Sequence, residues 1–327
     1  MKKRKLIKNL IFVAAAFLLV AVMVYSGFHI VESFMVPAEL VEASSSSKTI
    51  TRNGVDYFPR QDITTILVMG VDQYGPVEDS GSYQNPGAAD MVMLLIFDEA
   101  AEVCNILQLN RDTMLDMPVL GLGGKKAGTW YGQLAMSHTY GNGLKDSCEN
   151  TRQTVSDMLY GLYIDYYIAM NMDAISIAND AVGGVPVTVT EDFSRVDPSI
   201  GMGAVTLMGD QALNYVRTRK DIGDQLNLSR IQRQKDYITA FAQCLRADQD
   251  ANSGFVVSVY EQLEPYIVTD CSVNAINGII NHYGDYAIGR VDSPGGSNVL
   301  GEEYYEFYVD EESLDALILE LFYAPKG

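Results

Sequence analysis

Apolar positions in this chain fall into one long block near the start and a series of shorter blocks after it. From Lys8 to Glu32 no residue carries a formal charge, and Leu10–Tyr25 is apolar except for one tyrosine hydroxyl. A helix needs about 20 such residues to cross the hydrocarbon core of a bilayer. Residues 9–31 therefore predict a transmembrane signal-anchor helix behind a basic tail, residues 1–8. A cleaved signal peptide fits less well, since its apolar stretch runs to about 7–15 residues and ends in small side chains. Here Val24 and Tyr25 close the run. Residues 32–60, with the serine run Ser44–Ser47 and turn formers up to Pro59, read as an extracellular stalk.

Beyond the stalk the apolar runs have strand and helix length. Thr64–Val71 is β-rich and closed by Gly70 and Asp72, while Met91–Phe97 and Val103–Leu109, joined by DEAAE, predict a hairpin. Residues 72–89 are rich in Gly, Pro, Ser and Asn and predict a loop long enough to be functional. Gly121–Gly128 predicts a second, flexible loop. Val155, Met158 and Leu159 share one helical face in Asn150–Tyr160. Further helices are expected at Asp173–Ala181, Gly209–Thr218, Ser229–Ala247, Phe255–Leu263, Val273–Tyr283 and Glu312–Phe322, with strands at Tyr163–Met170, Val185–Val189 and Tyr304–Val309. This alternation predicts an α/β class: a single domain with a mixed central β-sheet flanked by helices, its core in 61–247 and a C-terminal α/β portion, 248–327, packed on it.

Charge narrows the function. The 327 residues hold 23 Lys+Arg and 42 Asp+Glu, net −19. Five of the basic residues (Lys2, Lys3, Arg4, Lys5 and Lys8) precede the apolar block, so the remainder carries 42 acids against 18 basic residues, net −24. Such a body repels phosphate backbones, which argues against nucleic acid as a partner. Basic residues ahead of the span keep the N-terminus in the cytoplasm and put the domain outside the cell membrane. Cys104, Cys148, Cys244 and Cys271 allow three disulfide pairings or four free thiols, and no CxxC spacing suggests zinc.

In so acidic a chain the few cations are informative. Arg217, Arg219, Lys220, Arg230 and Arg233 fall within 17 positions, with Arg230 and Arg233 as i,i+3 neighbours. Guanidinium forks suit phosphate oxygens. Asp72 follows the first strand, Asp90 opens the second and Asp112 follows the third, so carboxylates gather at strand ends. Mg²⁺ takes one or two carboxylates plus substrate phosphate oxygens. Together these groups describe a clamp for a diphosphate.

The blocks ILVMGVD (66–72), AADMVMLLIFD (88–98), LQLNRDT (107–113), LAMSHTYGNG (134–143), VGGVPV (182–187) and LNYVRTRKD…LSRIQRQ (213–234) resemble, in order, the signatures of the LytR–CpsA–Psr family. The resemblance implies a membrane-anchored phosphotransferase with one extracellular domain. Its substrate would be an anionic glycopolymer (teichoic acid, capsular or related polysaccharide) on an undecaprenyl-pyrophosphate carrier, and its acceptor peptidoglycan. It also implies Asp72 and Asp90 as Mg²⁺ ligands, with Arg111, Asp90 and Arg219 as catalytic residues. Arg217, Arg219, Arg230, Arg233, Gln234 and Arg111 would bind the pyrophosphate, and Asp112 and Thr113 would order the loop that aims Arg111. Three positions depart from the pattern. Asn227 stands where the family has an acid, with Asp224 nearly a helical turn away; Asn110 replaces a proline; and Ala89-Asp90-Met91 replaces a more polar block. An amide at 227 carries no charge, which keeps open a catalytically weakened binding or regulatory protein; a lipid pyrophosphatase, using the same site with water as acceptor, is a third reading. His138 is expected to be structural, and the general base is unassigned.

Overall fold

The computed structural model describes residues 49–218 and, beyond them, 222, 233–234, 236–241, 243–244, 247–248, 252, 255–271, 279, 282–283, 286–302 and 304–325. The expected span at 9–31, the serine run and much of the expected helix at 229–247 lie outside the described residues. Among the described residues no helix is long and apolar enough to cross a membrane. In chain order the strands are β1 (Ile50–Arg52), β2 (Val55–Pro59), β3 (Ile63–Val71), β4 (Ala89–Asp98), β5 (Val103–Leu109), β6 (Met114–Leu120), β7 (Lys126–Gln133), β8 (Tyr166–Asn171), β9 (Val185–Val189), β10 (Gly203–Leu207), β11 (Ile267–Thr269), β12 (Ala287–Asp292), β13 (Gly296–Leu300), β14 (Tyr305–Val309) and β15 (Tyr323–Pro325). The α-helices are α1 (Lys145–Met158), α2 (Met172–Ala181), α3 (Asp210–Arg217), α4 (Phe255–Leu263) and α5 (Glu311–Phe322), and a 3-10 helix covers Leu134–Tyr140. This is the α/β fold that the apolar pattern predicts.

The described chain divides into two compact units, one holding 49–170, 268–271 and 289–325 and the other 171–267 and 272–288. The first is built on a six-stranded sheet in the order β11-β8-β3-β4-β5-β12. Its inner strands read as unbroken apolar runs because both faces are covered. Leu67, Met69, Leu94, Ile96 and Leu107 pack in one core with Val155 and Leu159 near the end of α1 and with Ile318 and Phe322 of α5. Each such side chain, fully buried, contributes about 1.5–3 kcal/mol. The expected hairpin is present, with Phe97 opposite Cys104 across β4 and β5. At that end of the sheet Arg60 grips both Asp98 (2.7 Å) and Asp62 (2.6 Å), tying the entry of β3 to the exit of β4.

Two sequence readings need correction in this unit, and a further strand, β13, has no counterpart among them. The stalk does not run as coil to residue 60: β1 and β2 pair with each other, and β2 also pairs with β15 from the far end of the chain. Gly121–Gly128 is not a free loop but the turn of the β6–β7 hairpin, in which Leu120 pairs with Lys126. β13, exposed along its whole length, lies beside the expected strand β14. All four cysteines are free thiols, with Cys104 and Cys148 fully buried. Burial pushes the Cys104 thiol up to about 12.

In the second unit the Asn171 side chain caps α2 by accepting from the Ala174 amide at 3.1 Å. Gly183 and Gly184, both at positive φ, turn the chain from α2 into β9. A Cβ at Gly184 would also strike Met208, so the turn requires glycine sterically as well as conformationally. β9 and β10 form an antiparallel ribbon, and Asn179 joins it to α2 by donating to the Leu207 carbonyl at 2.8 Å.

Candidate active site

In the first unit the sheet brings one acid of interest to a break in its own ladder. Across β3 and β4, Gly70 pairs with Met91 and Val71 with Ala89, which leaves Asp90 as the extra residue of a bulge. Bulges re-aim side chains and are frequent beside active sites. The Asp72 amide donates to the Ala88 carbonyl at 2.9 Å, so Asp72 leaves β3 at the same end of the hairpin. β5 lies on the other side of β4, with Leu109 opposite Val92, and Arg111 emerges two residues later beside Asp90. The Arg111 Nη1 donates to Asp90 Oδ1, and its Nε sits 3.3 Å from Asp112 Oδ1 without making a hydrogen bond. Arg111 and Asp90 are both half-buried, so the pair is shielded from water but still open on one side.

The loop that presents Arg111 is pinned by its own backbone. Asn110 Oδ1 accepts from the Asp112 amide at 3.0 Å, and the Asn110 carbonyl accepts from the Thr113 amide at 3.0 Å and its hydroxyl at 2.7 Å. This is a side-chain-closed turn that a proline at 110 could not make. The Ala135 amide donates to the Arg111 carbonyl at 3.0 Å and the Leu134 amide to the Thr113 carbonyl at 2.8 Å. On the far side the Phe307 amide donates to the Asp112 carbonyl at 2.9 Å. Gln133 Nε2 donates to Asp112 Oδ1 at 3.0 Å and to the Tyr305 carbonyl at 2.9 Å. Asp112 and Thr113 thus order the Arg111 loop.

The long loop 72–88 is anchored near its end. Asn85 is 5% exposed and donates to the carbonyls of His138 (2.8 Å) and Gly141 (2.9 Å) and to Ser147 Oγ (3.0 Å). Its Oδ1 accepts from the Gly87 amide at 2.8 Å. The chain at Gly141 passes so close to Ser147 that a Cβ there would overlap the Ser147 backbone. His138 Nδ1 donates to the Gly87 carbonyl at 2.8 Å, and burial lowers its pKa to about 4. A neutral, enclosed imidazole engaged in this way holds the loop rather than serving as a base. Asn85 and Gln133 carry no motif signal in the sequence. Only their burial, invisible there, marks them.

In the second unit the arginine block resolves into separate roles. Arg217 is exposed in the last turn of α3. Arg233, read from the sequence as a diphosphate ligand, is 4% exposed. Its guanidinium is ion-paired to Glu191, donates from Nε to the Tyr215 carbonyl at 3.0 Å and from Nη2 to the Thr218 carbonyl, and lies 5.4 Å over the Phe193 ring. Gln234 Nε2 donates to the Val216 carbonyl at 3.0 Å. Both side chains therefore bond the open carbonyls at the end of α3, holding the turn that carries Arg217. Arg219, Arg230, Asp224 and Asn227 lie outside the described residues.

Among the described residues no three His, Cys, Asp or Glu side chains gather into a metal cluster. Asp72 and Asp90 leave the same end of the β3–β4 hairpin, and one or two carboxylates are the donor set that Mg²⁺ commonly takes beside phosphate oxygens and water.

Comparison with known proteins agrees with this architecture. The chain is 26% identical over 261 residues, 78% of its length and 74% of the relative's, to the polyisoprenyl-teichoic acid–peptidoglycan teichoic acid transferase TagU of Oceanobacillus iheyensis. It is 27% identical over 249 residues, 73% of this chain and 71% of the other, to the corresponding transferase TagT of Bacillus subtilis. The solved structure of TagT bound to LI-WTA shares the fold at a TM-score of 0.59 and 21% identity, over 85% of this chain and 96% of that one. The LytR_cpsA_psr family model matches residues 34–321, and this chain belongs to that family.

Proposed function

We propose that this protein is a phosphotransferase that moves an anionic glycopolymer from an undecaprenyl-pyrophosphate carrier to peptidoglycan. The observation that carries the reading is the Arg111–Asp90 pair at the β4 bulge, on a loop fixed from both flanks. The activities named for the transferase relatives support the same substrate class.

In the reaction an acceptor hydroxyl attacks the phosphorus nearest the glycan. An oxygen–phosphorus bond forms, the bond from that phosphorus to the bridging oxygen breaks, and undecaprenyl phosphate leaves. The hydroxyl proton passes to a base, a role open to Asp90. Arg111 stabilises the charge that spreads over the phosphoryl oxygens, and its fixed loop means little reorganisation at the moment of transfer. Asp72 and Asp90 would hold Mg²⁺, which when bound draws charge from the diphosphate oxygens. Arg217, Arg219 and Arg230 belong to the proposal as diphosphate ligands on their motif alone. Arg233 and Gln234 enter it as positioning residues for the end of α3. Residues 9–31 anchor the protein in the membrane, with the domain outside.

The test is transfer by the full-length protein in detergent, with a lipid-diphosphate glycan, Mg²⁺ and peptidoglycan. Wild type should form a sugar–phosphate–sugar linkage, chelation should remove it, and Arg111→Ala should lower kcat by about 10²–10³. Binding of the donor without transfer would instead support a binding protein, the reading that Asn227 favours. Release of phosphate to water alone would make it a pyrophosphatase.

A further inference from the structure

The two exposed ribbons of the first unit carry tyrosines next to the Arg111 loop. Tyr131 of β7 is 52% exposed, Tyr308 of β14 is 40% exposed and Tyr304, just before β14, is 46% exposed. Side chains alternate along a strand, so Tyr304, Glu306 and Tyr308 share one face of β14, while Phe307 turns inward and is buried. The Tyr308 hydroxyl donates to Glu306 Oε2 at 2.6 Å. That bond, with desolvation and the charge of Glu306, pushes the Tyr308 phenol up to about 12, and β14 packs against the β6–β7 ribbon that carries Tyr131. Asp116 stands opposite Tyr131 across β6 and β7. Both ribbons meet the catalytic loop: the Phe307 amide bonds Asp112, and Gln133, two residues past Tyr131, bonds Asp112 and Tyr305.

Tyr131, Tyr304 and Tyr308 thus present exposed phenol rings beside the Arg111 loop, with Tyr305 exposed on the other face of β14. Aromatic faces take the C–H face of a pyranose ring, and phenol and carboxylate groups bond its hydroxyls. With Asp116 and Glu306 on the same surfaces, the face is acidic. That disfavours a polyanionic donor and suits an uncharged, hydroxyl-rich chain.

We propose that Tyr131, Tyr304 and Tyr308 form a platform that seats the uncharged glycan strand of the acceptor, with Glu306 bonding its hydroxyls. The proposal rests on the transfer reading above and adds the place where the acceptor docks. Trp130 lies on the opposite face of β7, with its indole close over Gly132, and is outside the platform.

The experiment uses the full-length protein and isolated sacculi stripped of attached polymer, in two arms. The first is retention of protein on sacculi without donor; the second is acceptor titration in the transfer assay. Tyr131→Ala and Tyr308→Ala should each raise the acceptor KM about tenfold and weaken retention in step, with donor KM and kcat little changed. Tyr131→Phe, which keeps the ring, should restore most of the retention, and Trp130→Ala should match wild type in both arms. The platform is overturned if wild type transfers and the tyrosine variants leave acceptor KM unchanged, or if Trp130→Ala causes the same loss. It is also overturned if the tyrosine variants alter only self-association in sedimentation. Where wild type transfers nothing yet retention still depends on the tyrosines, the platform stands and the transfer reading falls.

Discussion

His138 shows how one buried side chain couples the site to pH. It is 1% exposed, its Nδ1 proton is given to the Gly87 carbonyl, and its Nε2 faces Cys148 Sγ at 4.0 Å. Burial is the dominant influence and lowers the pKa from 6.5 to about 4, while the bond to Gly87 acts the other way. The folded state thus resists protonation where the unfolded chain accepts it. Stability from this group is intact above about pH 6.5 and declines as pH falls toward 4, by about 3 kcal/mol in all. Urea unfolding at pH 7 and pH 4.5 should show wild type losing about 2–3 kcal/mol more than His138→Gln. Equal losses in the two proteins would show that His138 is not the titrating group. The drop would come from the anchor of loop 72–88 and not from the proton chemistry of transfer, which separates this histidine from a general base.

At the scale of elements, loop 72–88 depends on Asn85. Asn85→Ala would leave the carbonyls of His138 and Gly141 and the Gly87 amide without a partner. A buried polar group left unpaired costs about 1–3 kcal/mol, so a loss of about 3 kcal/mol in global stability is expected. Hydrogen exchange should quicken at Gly87 and Asp72 while the amides of β3 to β5 stay protected. Unchanged exchange in the loop would show that Asn85 is not its anchor. The sequence makes β3, β4 and β5 legible because each is a run of apolar residues with covered faces. It does not reveal β6 and β7, where Pro118, Gly128 and Gly132 interrupt the pattern and β7 is exposed over six of its eight residues. β1 and β2 are hidden for a different reason: they depend on β15, more than 260 residues away. At the site, the strand-end placement of Asp72, Asp90 and Asp112 is legible as a metal-and-phosphate pattern, while Arg111 is singled out only by the resemblance to the family's motif. The bulge that turns Asp90 out of the ladder is a matter of strand register, and the burial of Arg233 depends on Glu191, 42 positions away. Neither is written in local composition.

The chain as a whole carries a charge that works against its own proposed donor. Past the basic tail it holds 42 acids and 18 basic residues, net −24, while a teichoic or capsular donor is itself a polyanion. Repulsion between them acts over distances longer than a hydrogen bond and is screened within about 8 Å at 0.15 M salt. A guanidinium–phosphate contact acts at touching distance in a half-buried setting and is screened far less. The approach step should therefore gain from added salt more than the bound state loses. We predict that kcat/KM for a lipid-linked polyanionic donor rises several-fold between 10 mM and about 150 mM salt. For a lipid diphosphate bearing an uncharged glycan it should rise far less, because only its diphosphate feels the field. The paired titration isolates the charge of the glycan from that of the headgroup. A fall with salt for both donors would mean that arginine attraction governs the encounter at long range, and that the acidic body lies too far from the docking path to oppose it.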